Sequence, residues 1–172
     1  MEIERKFLIQ EKSKEYFSPF EISKLKKEMI KGELITQTYL KKKKLPELKL
    51  SFKPNEIRLR KINNKFYLTI KSKGSLERHE IEKEISKEVY DNLYKFKKKE
   101  LKKIRLKKKY KGYTIEFDFY EFKNLITAEI EFKTIEEAKH FKTEMKEITG
   151  NKKYSNRKLA KQGKTSIPNT LK

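Results

Sequence analysis

Charged side chains recur at every second position along several segments of this chain. Glu2, Glu4 and Lys6 open the series, and Arg58 with Arg60, Lys71, and Arg78 with Glu80, Glu82 and Glu84 continue it. Arg105 with Lys107 and Lys109, Glu116 with Asp118, and Glu129 with Glu131 and Lys133 complete it. Glu2/Glu4 and Glu129/Glu131 are E-x-E pairs, and in an extended chain both carboxylates of such a pair lie on one side. Carboxylates are hard oxygen donors of the kind Mg²⁺ takes together with substrate phosphates. Arginine and lysine on neighbouring segments can hold phosphate oxygens, arginine through a planar fork that lysine lacks. A cation site, a charge clamp and a positioned water are the parts needed to transfer a phosphoryl group to water. An isolated E-x-E pair in a strand is usually solvent decoration. The chemistry therefore turns on which way the strands face.

The elements that would carry these residues read as follows. Alternation predicts strands over Met1–Ile9, Glu33–Leu40, Ile57–Ile62, Lys65–Lys71, Arg78–Ile85, Ile104–Tyr110, Tyr113–Tyr120 and Thr127–Lys133. Asn63-Asn64 and Lys111-Gly112 are two-residue hairpin turns between them. The Leu45–Pro54 segment has the length for a short extra hairpin. Three helices are predicted. Ser18 caps the first, with Pro19 at its first position, Glu21 completing a capping box, and Ile22, Leu25 and Met29 on its apolar side up to Gly32. The second covers about Ser86 to Lys102, with Val89, Leu93, Phe96 and Leu101 inward. The third starts at a Thr134/Glu137 capping box and runs with Ala138, Phe141, Met145 and Ile148 to Gly150. The fold class is α+β, an antiparallel sheet of eight strands with flanking helices, with closure into a β-barrel in view. Residues 1–160 read as one domain and 161–172 as a flexible tail.

Composition narrows the partners. The chain has 172 residues and a formal net charge of +21, a field that attracts polyanions. Its 40 lysines and six arginines make lysine the default surface residue and arginine the sparing one. Eleven Phe and nine Tyr supply large burial units, which argues against wholesale disorder despite 41% charged residues. There is no cysteine, hence neither a disulfide framework nor a thiolate metal site. No apolar run approaches the roughly 20 residues of a membrane helix, and no signal-peptide pattern opens the chain, so a cytoplasmic protein without a membrane partner is expected. His79 and His140 stand far from one another in sequence and read as structural or surface groups.

Opposite the charged positions lie Ile3 and Phe7, Ile57 and Leu59, Phe66, Leu68 and Ile70, Ile104 and Leu106, Ile115, Phe117 and Phe119, and Ala128, Ile130 and Phe132. Arg5 is the one strand arginine on that apolar side. Two architectures fit. The charged face meets solvent, as in many antiparallel sheets, or it lines a wet interior while helices cover the apolar exterior. The second needs an anion and a cation to justify the enclosed charge, because burying charge is costly. Periodicity alone leaves both open.

The order of motifs resembles a known family. MEIERKF is similar to the E-x-E-x-K signature of the CYTH domain, also called the triphosphate tunnel metalloenzyme superfamily. EIRLR (Glu56–Arg60), YLTIKSKG (Tyr67–Gly74), RHEIEKEI (Arg78–Ile85), RLKKKY (Arg105–Tyr110), YTIEFDFY (Tyr113–Tyr120), AEIEF (Ala128–Phe132) and YSNRKLA (Tyr154–Ala160) follow in the same order and phase. The resemblance implies an eight-stranded antiparallel barrel around a charged tunnel. It implies Glu2, Glu4, Glu129 and Glu131 as ligands of Mg²⁺ or Mn²⁺. It implies Lys6, Arg58, Arg60, Lys71, Arg78, Lys107, Lys109 and Arg157 as phosphate-binding groups, with Glu2, Glu4, Lys6 and Lys107 at the centre of catalysis. Glu82, Glu116 and Asp118 follow as supporting tunnel carboxylates, and Arg105 shares the phase of Lys107. Two features depart from the family's pattern: Lys109 stands where an arginine is expected, and Lys41–Pro54 is a longer link than usual.

The activity implied is divalent-metal-dependent hydrolysis of inorganic triphosphate to diphosphate and phosphate, since the opening EIERKFL is most similar to small bacterial triphosphatases. Thiamine triphosphatase, nucleoside triphosphatase and class IV-type adenylate cyclase are the rivals within the family. A non-catalytic module binding polyphosphate or nucleic acid is the rival outside it. A nucleic-acid partner is not expected, because the aromatics share the apolar parity instead of standing interleaved with exposed bases. A homodimer is compatible with the chain.

Overall fold

The alternating segments do form strands, and their apolar side faces helices. The protein is described by a computed structural model over residues 1–10, 19–45, 49–120 and 125–162. Strands β1 (Glu2–Ile9), β2 (Glu33–Leu40), β3 (Glu56–Ile62), β4 (Lys65–Lys71), β5 (Glu77–Arg78) and β6 (Glu80–Ile85) come from the first half of the chain. Strands β7 (Lys97–Tyr110), β8 (Tyr113–Tyr120), β9 (Leu125–Glu131) and β10 (Lys146–Glu147) come from the second. All neighbours are antiparallel, in the order β10-β1-β9-β8-β7-β2-β3-β4-β6. The sheet curls until β5, one residue ahead of β6, pairs with the free side of β1 through Glu2↔Arg78 and Ile3↔Glu77. Eight strand positions thus form the circuit, as the sequence predicts. The closing ladder is two residue pairs long, so the barrel is closed at one end of that seam and curled open along the rest.

The outer wall is the apolar one. Ile3, Phe7, Ile104, Leu106, Ile115, Phe117, Ala128 and Ile130 form one continuous core with Leu25, Met29, Ala138, Phe141 and Met145 from the covering segments. A second outer cluster joins Leu40, Ile57, Leu59 and Ile70 to Tyr90. Removing such side chains from water supplies most of the driving force for curling the sheet around its polar face. Lys111 and Gly112 both take positive φ (49° and 80°), the conformation a tight two-residue hairpin requires. Asn63, at φ 52°, opens the β3–β4 turn in the same way.

The helices are shorter than the sequence suggests. Helix α1 covers Ile22–Glu28 and buries Leu25, with Met29 in the 3-10 turn that follows. Its N-cap is Glu21, whose side chain makes no capping bond, and the expected cap Ser18 lies outside the described residues. Phe20 is set edge-on against Phe117 and Tyr110 (4.8 and 5.2 Å between centroids), which holds the approach to the helix flat on the wall. Helix α2 is Lys87–Tyr94, capped by Ser86 Oγ accepting from the Val89 amide at 3.2 Å. The expectation that it runs to Lys102 is wrong: from Lys97 the chain is strand, pairing with β2 across one register shift at Tyr39/Leu40. Tyr90 is its buried side chain, while Val89 is 43% exposed. Sheet pairing outweighs the helical preference of a lysine-rich run, because β2 would otherwise lack a partner on that side.

Helix α3 is Ile135–His140, with Thr134 Oγ1 accepting from the Glu137 amide and Glu137 Oε2 accepting from the Lys133 amide. It does not continue to Gly150. The Arg5 guanidinium takes the carbonyls of Ala138 and Phe141, both at 2.7 Å, and so occupies an acceptor the next turn would need. The chain leaves the helix there and returns as β10 beside β1, still burying Phe141, Met145 and Ile148. A last helix, α4 (Asn156–Gln162), sends Leu159 and Ala160 against Tyr39, Leu101 and Tyr120 on the concave side of the sheet. Of the 45–54 link, the described residues hold no strand; residues 46–48, and 163–172 of the expected tail, lie outside the described residues. No helix among the described residues is long and apolar enough to cross a membrane.

Candidate functional site

The concave side encloses a cavity of about 1740 Å³. Glu2, Glu4 and Lys6 reach it from β1, Arg58 and Arg60 from β3, Lys71 from β4, and Arg78 and Glu82 from β5 and β6. Lys107, Lys109, Glu116, Glu129 and Glu131 line it from β7, β8 and β9, and Arg157 from α4. Asp118 lies beneath this lining and is wholly buried. The alternation of the strands is the cause: cross-strand partners share a face, so Glu4↔Glu131, Lys6↔Glu129, Glu129↔Glu116 and Glu116↔Lys107 all project inward together.

Two networks organise the interior. In the first, Arg78 donates from Nε to Glu2 at 2.6 Å and from Nη2 to Glu4 at 2.5 Å. Lys71 lies between Glu2 (2.9 Å) and Glu80 (2.5 Å). Burial works to raise the Glu2 carboxyl, but Lys71, Glu80 and Arg78 together bring it down to about 2. Glu4 goes the other way. Burial first, then the charges of Glu129 and Glu2, push it up to about 7 against the pull of Arg78 and Lys71.

The second network centres on Arg105. It donates to Asp118 through Nε and Nη2 (both 2.7 Å), to Glu129 through Nη2 (2.7 Å), and to Glu116. Lys6 meets Glu129 at 2.9 Å. Burial opposes ionisation of Glu129, yet Lys6, Arg105 and Lys103 hold its carboxyl well below the usual range. Elsewhere Arg60 pairs with Glu82, which also accepts from Thr69 Oγ1 at 2.9 Å. Arg58 is buried and 3.4 Å from Glu56. The Nε atoms of Arg58 and Arg60 are buried without a hydrogen-bond partner among the described residues.

Some of the expected residues stand apart from these networks. Lys107 is at the rim, 57% exposed and 3.1 Å from Glu116. Lys109 is exposed and donates to Thr114 Oγ1 at 2.9 Å. Glu131 lines the cavity but makes no ion pair among the described residues; burial, then Glu2 and Glu116, raise its carboxyl. Arg157 contributes its carbonyl to Lys99 (2.6 Å) and lines the cavity without an ion pair among the described residues.

Lys103 was not singled out by sequence, because the predicted second helix ends at Lys102. It is fully buried, 2.5 Å from Asp118 Oδ2 and 5.8 Å from the Tyr120 ring. Burial, then the neighbouring Arg105 charge, brings its ammonium down to about 8. The signal for it was present: Lys103, Arg105, Lys107 and Lys109 share one parity. Glu56, Glu80 and Gln37 join the lining in the same way.

The donor set suits a hard divalent cation chemically. Glu2, Glu4, Glu129 and Glu131 are oxygen ligands close enough that Glu4 is raised by two of the others, a repulsion a cation relieves. Among the described residues no three carboxylates converge as a ready-made cage; Glu2, Glu4 and Glu129 are each turned to a basic neighbour.

Comparison with known proteins agrees with this architecture. No curated protein matches the sequence. Among solved structures, the inorganic triphosphatase NE1496 is 25% identical, with a TM-score of 0.54 over 98% of this chain and 97% of that one. The PH1012 protein from Pyrococcus horikoshii OT3 is 28% identical, with a TM-score of 0.54 over 81% of this chain and 84% of that one. The family model of the CYTH domain matches residues 1–163, nearly the whole length over which charged parity, curled sheet and enclosed cavity are continuous, and the chain belongs to that family.

Proposed function

We propose that this protein is a divalent-metal-dependent triphosphatase that hydrolyses inorganic triphosphate to diphosphate and phosphate within the tunnel. The observation that carries the reading is the enclosure of Lys6, Arg58, Arg60, Lys71, Arg78 and Arg105 with four carboxylates in one 1740 Å³ cavity. An array of fixed cations in a partly water-excluded site stabilises a polyphosphate and the charge that develops on it at transfer far better than water does. The likeness to NE1496, itself an inorganic triphosphatase, supports the choice of substrate.

The chain's own groups divide the work. Arg58 and Arg60 on one side and Lys6, Lys71, Arg78 and Arg105 on the other hold the phosphates in line across the tunnel. Lys107, Lys109 and Arg157 at its margins draw the anion in. Asp118, Glu116 and Glu82 fix the guanidiniums of Arg105 and Arg60, so that little reorganisation is needed at transfer. Glu2, Glu4, Glu129 and Glu131 would hold Mg²⁺ or Mn²⁺, whose chemistry there is charge neutralisation and acidification of a water.

The test is phosphate release from triphosphate, thiamine triphosphate, ATP and GTP, with Mg²⁺, with Mn²⁺ and with chelator. Triphosphate is expected to be cleaved with a metal and left intact without one. Glu4→Gln and Glu131→Gln should each lower turnover by roughly a hundred-fold, the scale of losing a ligand or its partner. Full activity in both variants would sink the metal assignment, and silence toward every substrate would sink the proposal.

A further inference from the structure

The anion-holding and cation-holding groups of the tunnel are not two separate sets: they are the two halves of the same ion pairs. Arg78 spans Glu2 and Glu4 (2.6 and 2.5 Å), Lys71 meets Glu2 (2.9 Å), and Glu129 is shared between Lys6 (2.9 Å) and Arg105 (2.7 Å). We propose that Glu2, Glu4 and Glu129 act as built-in counter-ions that occupy the phosphate-binding bases until exchange, so that a polyphosphate anion and a divalent cation each bind the tunnel more tightly when the other is present. The identity of the two ligands rests on the triphosphatase reading; the coupling rests on the ion pairs.

The physical reason is the cost of a stranded charge. A phosphate oxygen that takes Arg78 leaves Glu2 and Glu4 without their shared partner inside the cavity. An uncompensated charge in such surroundings is strongly unfavourable. A cation that takes Glu2 and Glu4 alone leaves Arg78 in the same position and Lys71 with Glu80 as its one remaining partner among the described residues. When both ligands enter, the carboxylates pass to the cation and the bases to the phosphates, and no charge is stranded. Thermodynamic reciprocity then requires each ligand to strengthen the other by one common factor.

The structure also marks which group stands outside the exchange. Glu131 already makes no ion pair among the described residues. It would give an entering cation its first hold without displacing anything. Glu131 lies directly across the ladder from Glu4, in the same cavity. It is therefore an internal control: removing its charge changes the field of the tunnel but releases no base.

The experiment is calorimetric binding of imidotriphosphate, whose bridging nitrogens resist hydrolysis, to the full chain with and without Mg²⁺. Binding of Mg²⁺ to the free anion is measured separately and subtracted. Glu2→Gln frees one arm of Arg78 and leaves Lys71 to Glu80 alone, and should tighten metal-free binding by about ten-fold, in the middle of the usual range for coupled sites. The Mg²⁺-dependent gain should shrink in that variant. Glu131→Gln should tighten metal-free binding by no more than about two-fold, the residual effect of a screened field. Glu129→Gln, which releases Lys6 while Arg105 stays with Asp118 and Glu116, is a second variant should Glu2→Gln fold poorly, and its tightening should match. Equal tightening by Glu2→Gln and Glu131→Gln would overturn the inference, since it would reduce the effect to net charge. Equal affinity of the unaltered protein with and without Mg²⁺ would overturn it too. Absence of imidotriphosphate binding under both conditions also overturns it, and the phosphate-release assay then decides separately whether the triphosphatase reading falls with it.

Discussion

Asp118→Asn should be among the most damaging isosteric changes available to this protein. The Asp118 side chain has no exposure and accepts from Lys103 at 2.5 Å and from two Arg105 nitrogens at 2.7 Å. An asparagine keeps one acceptor oxygen and turns an amide toward the cations. At least one charge-assisted bond is lost, and two buried positive charges remain with only Glu129 and Glu116 to balance them. Breaking one side of a buried pair costs about 3–5 kcal/mol. At roughly 2–4 °C per kcal/mol for a chain of this size, the melting temperature should fall by roughly 10 °C. Lys103→Met makes the complementary test. It removes the cation whose ammonium burial has pushed down to about 8, and Asp118 keeps both bonds from Arg105. Its stability should therefore stay within about 1 kcal/mol, since apolar replacement of a buried ion is often neutral. Circular dichroism melts of the two single variants and the double variant suffice. The double variant should recover part of the loss, because removing Lys103 removes one of the two stranded charges. Equal melting of Asp118→Asn and the unaltered protein would refute the reasoning, as would a Lys103→Met loss as large as that of Asp118→Asn.

Arg5→Met removes two carbonyl bonds and the pairing with Glu147, and should lower stability by about 2–4 kcal/mol with no rescue by Arg5→Lys, which lacks the fork; urea unfolding reads this directly. The Glu147 carboxyl is held below its usual value by the Arg5 hydrogen bond first and by Thr149, against burial. A depressed carboxyl contributes stability above its unfolded pKa and loses it as pH falls through the folded one. The clamp between β1 and β10 should accordingly weaken below about pH 4, and by well under 1 kcal/mol because Glu147 is 41% exposed. Melts from pH 6 to pH 3 should show Glu147→Gln converging on the unaltered protein at the acid end; a constant difference would contradict this. Gly74→Ala places a methyl against the Glu77 carbonyl and the Arg78 side chain, so β5 must shift. Triphosphate affinity should fall by roughly ten-fold as Arg78 moves, while Gly112→Ala, whose position is open, should leave it unchanged and cost about 1 kcal/mol in stability for the positive φ.

The strands of this protein are legible in its sequence because their two faces differ so sharply in polarity. Nearly every predicted strand is present, and the shared parity of Glu4, Lys6, Glu116, Glu129 and Glu131 follows from a period of two that tertiary structure cannot alter. What parity could not decide was the direction of the charged face, since solvent and an enclosed cavity select the same residues. The helices were misjudged for a related reason. Phe141, Met145 and Ile148 are buried as their spacing suggests, but burial at a spacing of three or four is also met by an extended chain held against a wall. The residue that stops α3 is Arg5, more than 130 positions away. Lys97–Lys103 illustrates the same limit from the other side. Seven residues that include five lysines carry no local preference for a strand, and only the unpaired edge of β2 selects one. That extension delivers Lys103 to Asp118 and Leu101 to the floor beneath α4, and both lay outside the reach of local pattern. The ion pairs of the tunnel are a third case. Sequence places Glu2, Glu4 and Arg78 on the charged faces of their strands, yet only the β1–β5 ladder, two residue pairs long, sets one guanidinium across two carboxylates. A ladder of two residue pairs thus determines whether the tunnel's acids and bases meet as separate sites or as one exchangeable set.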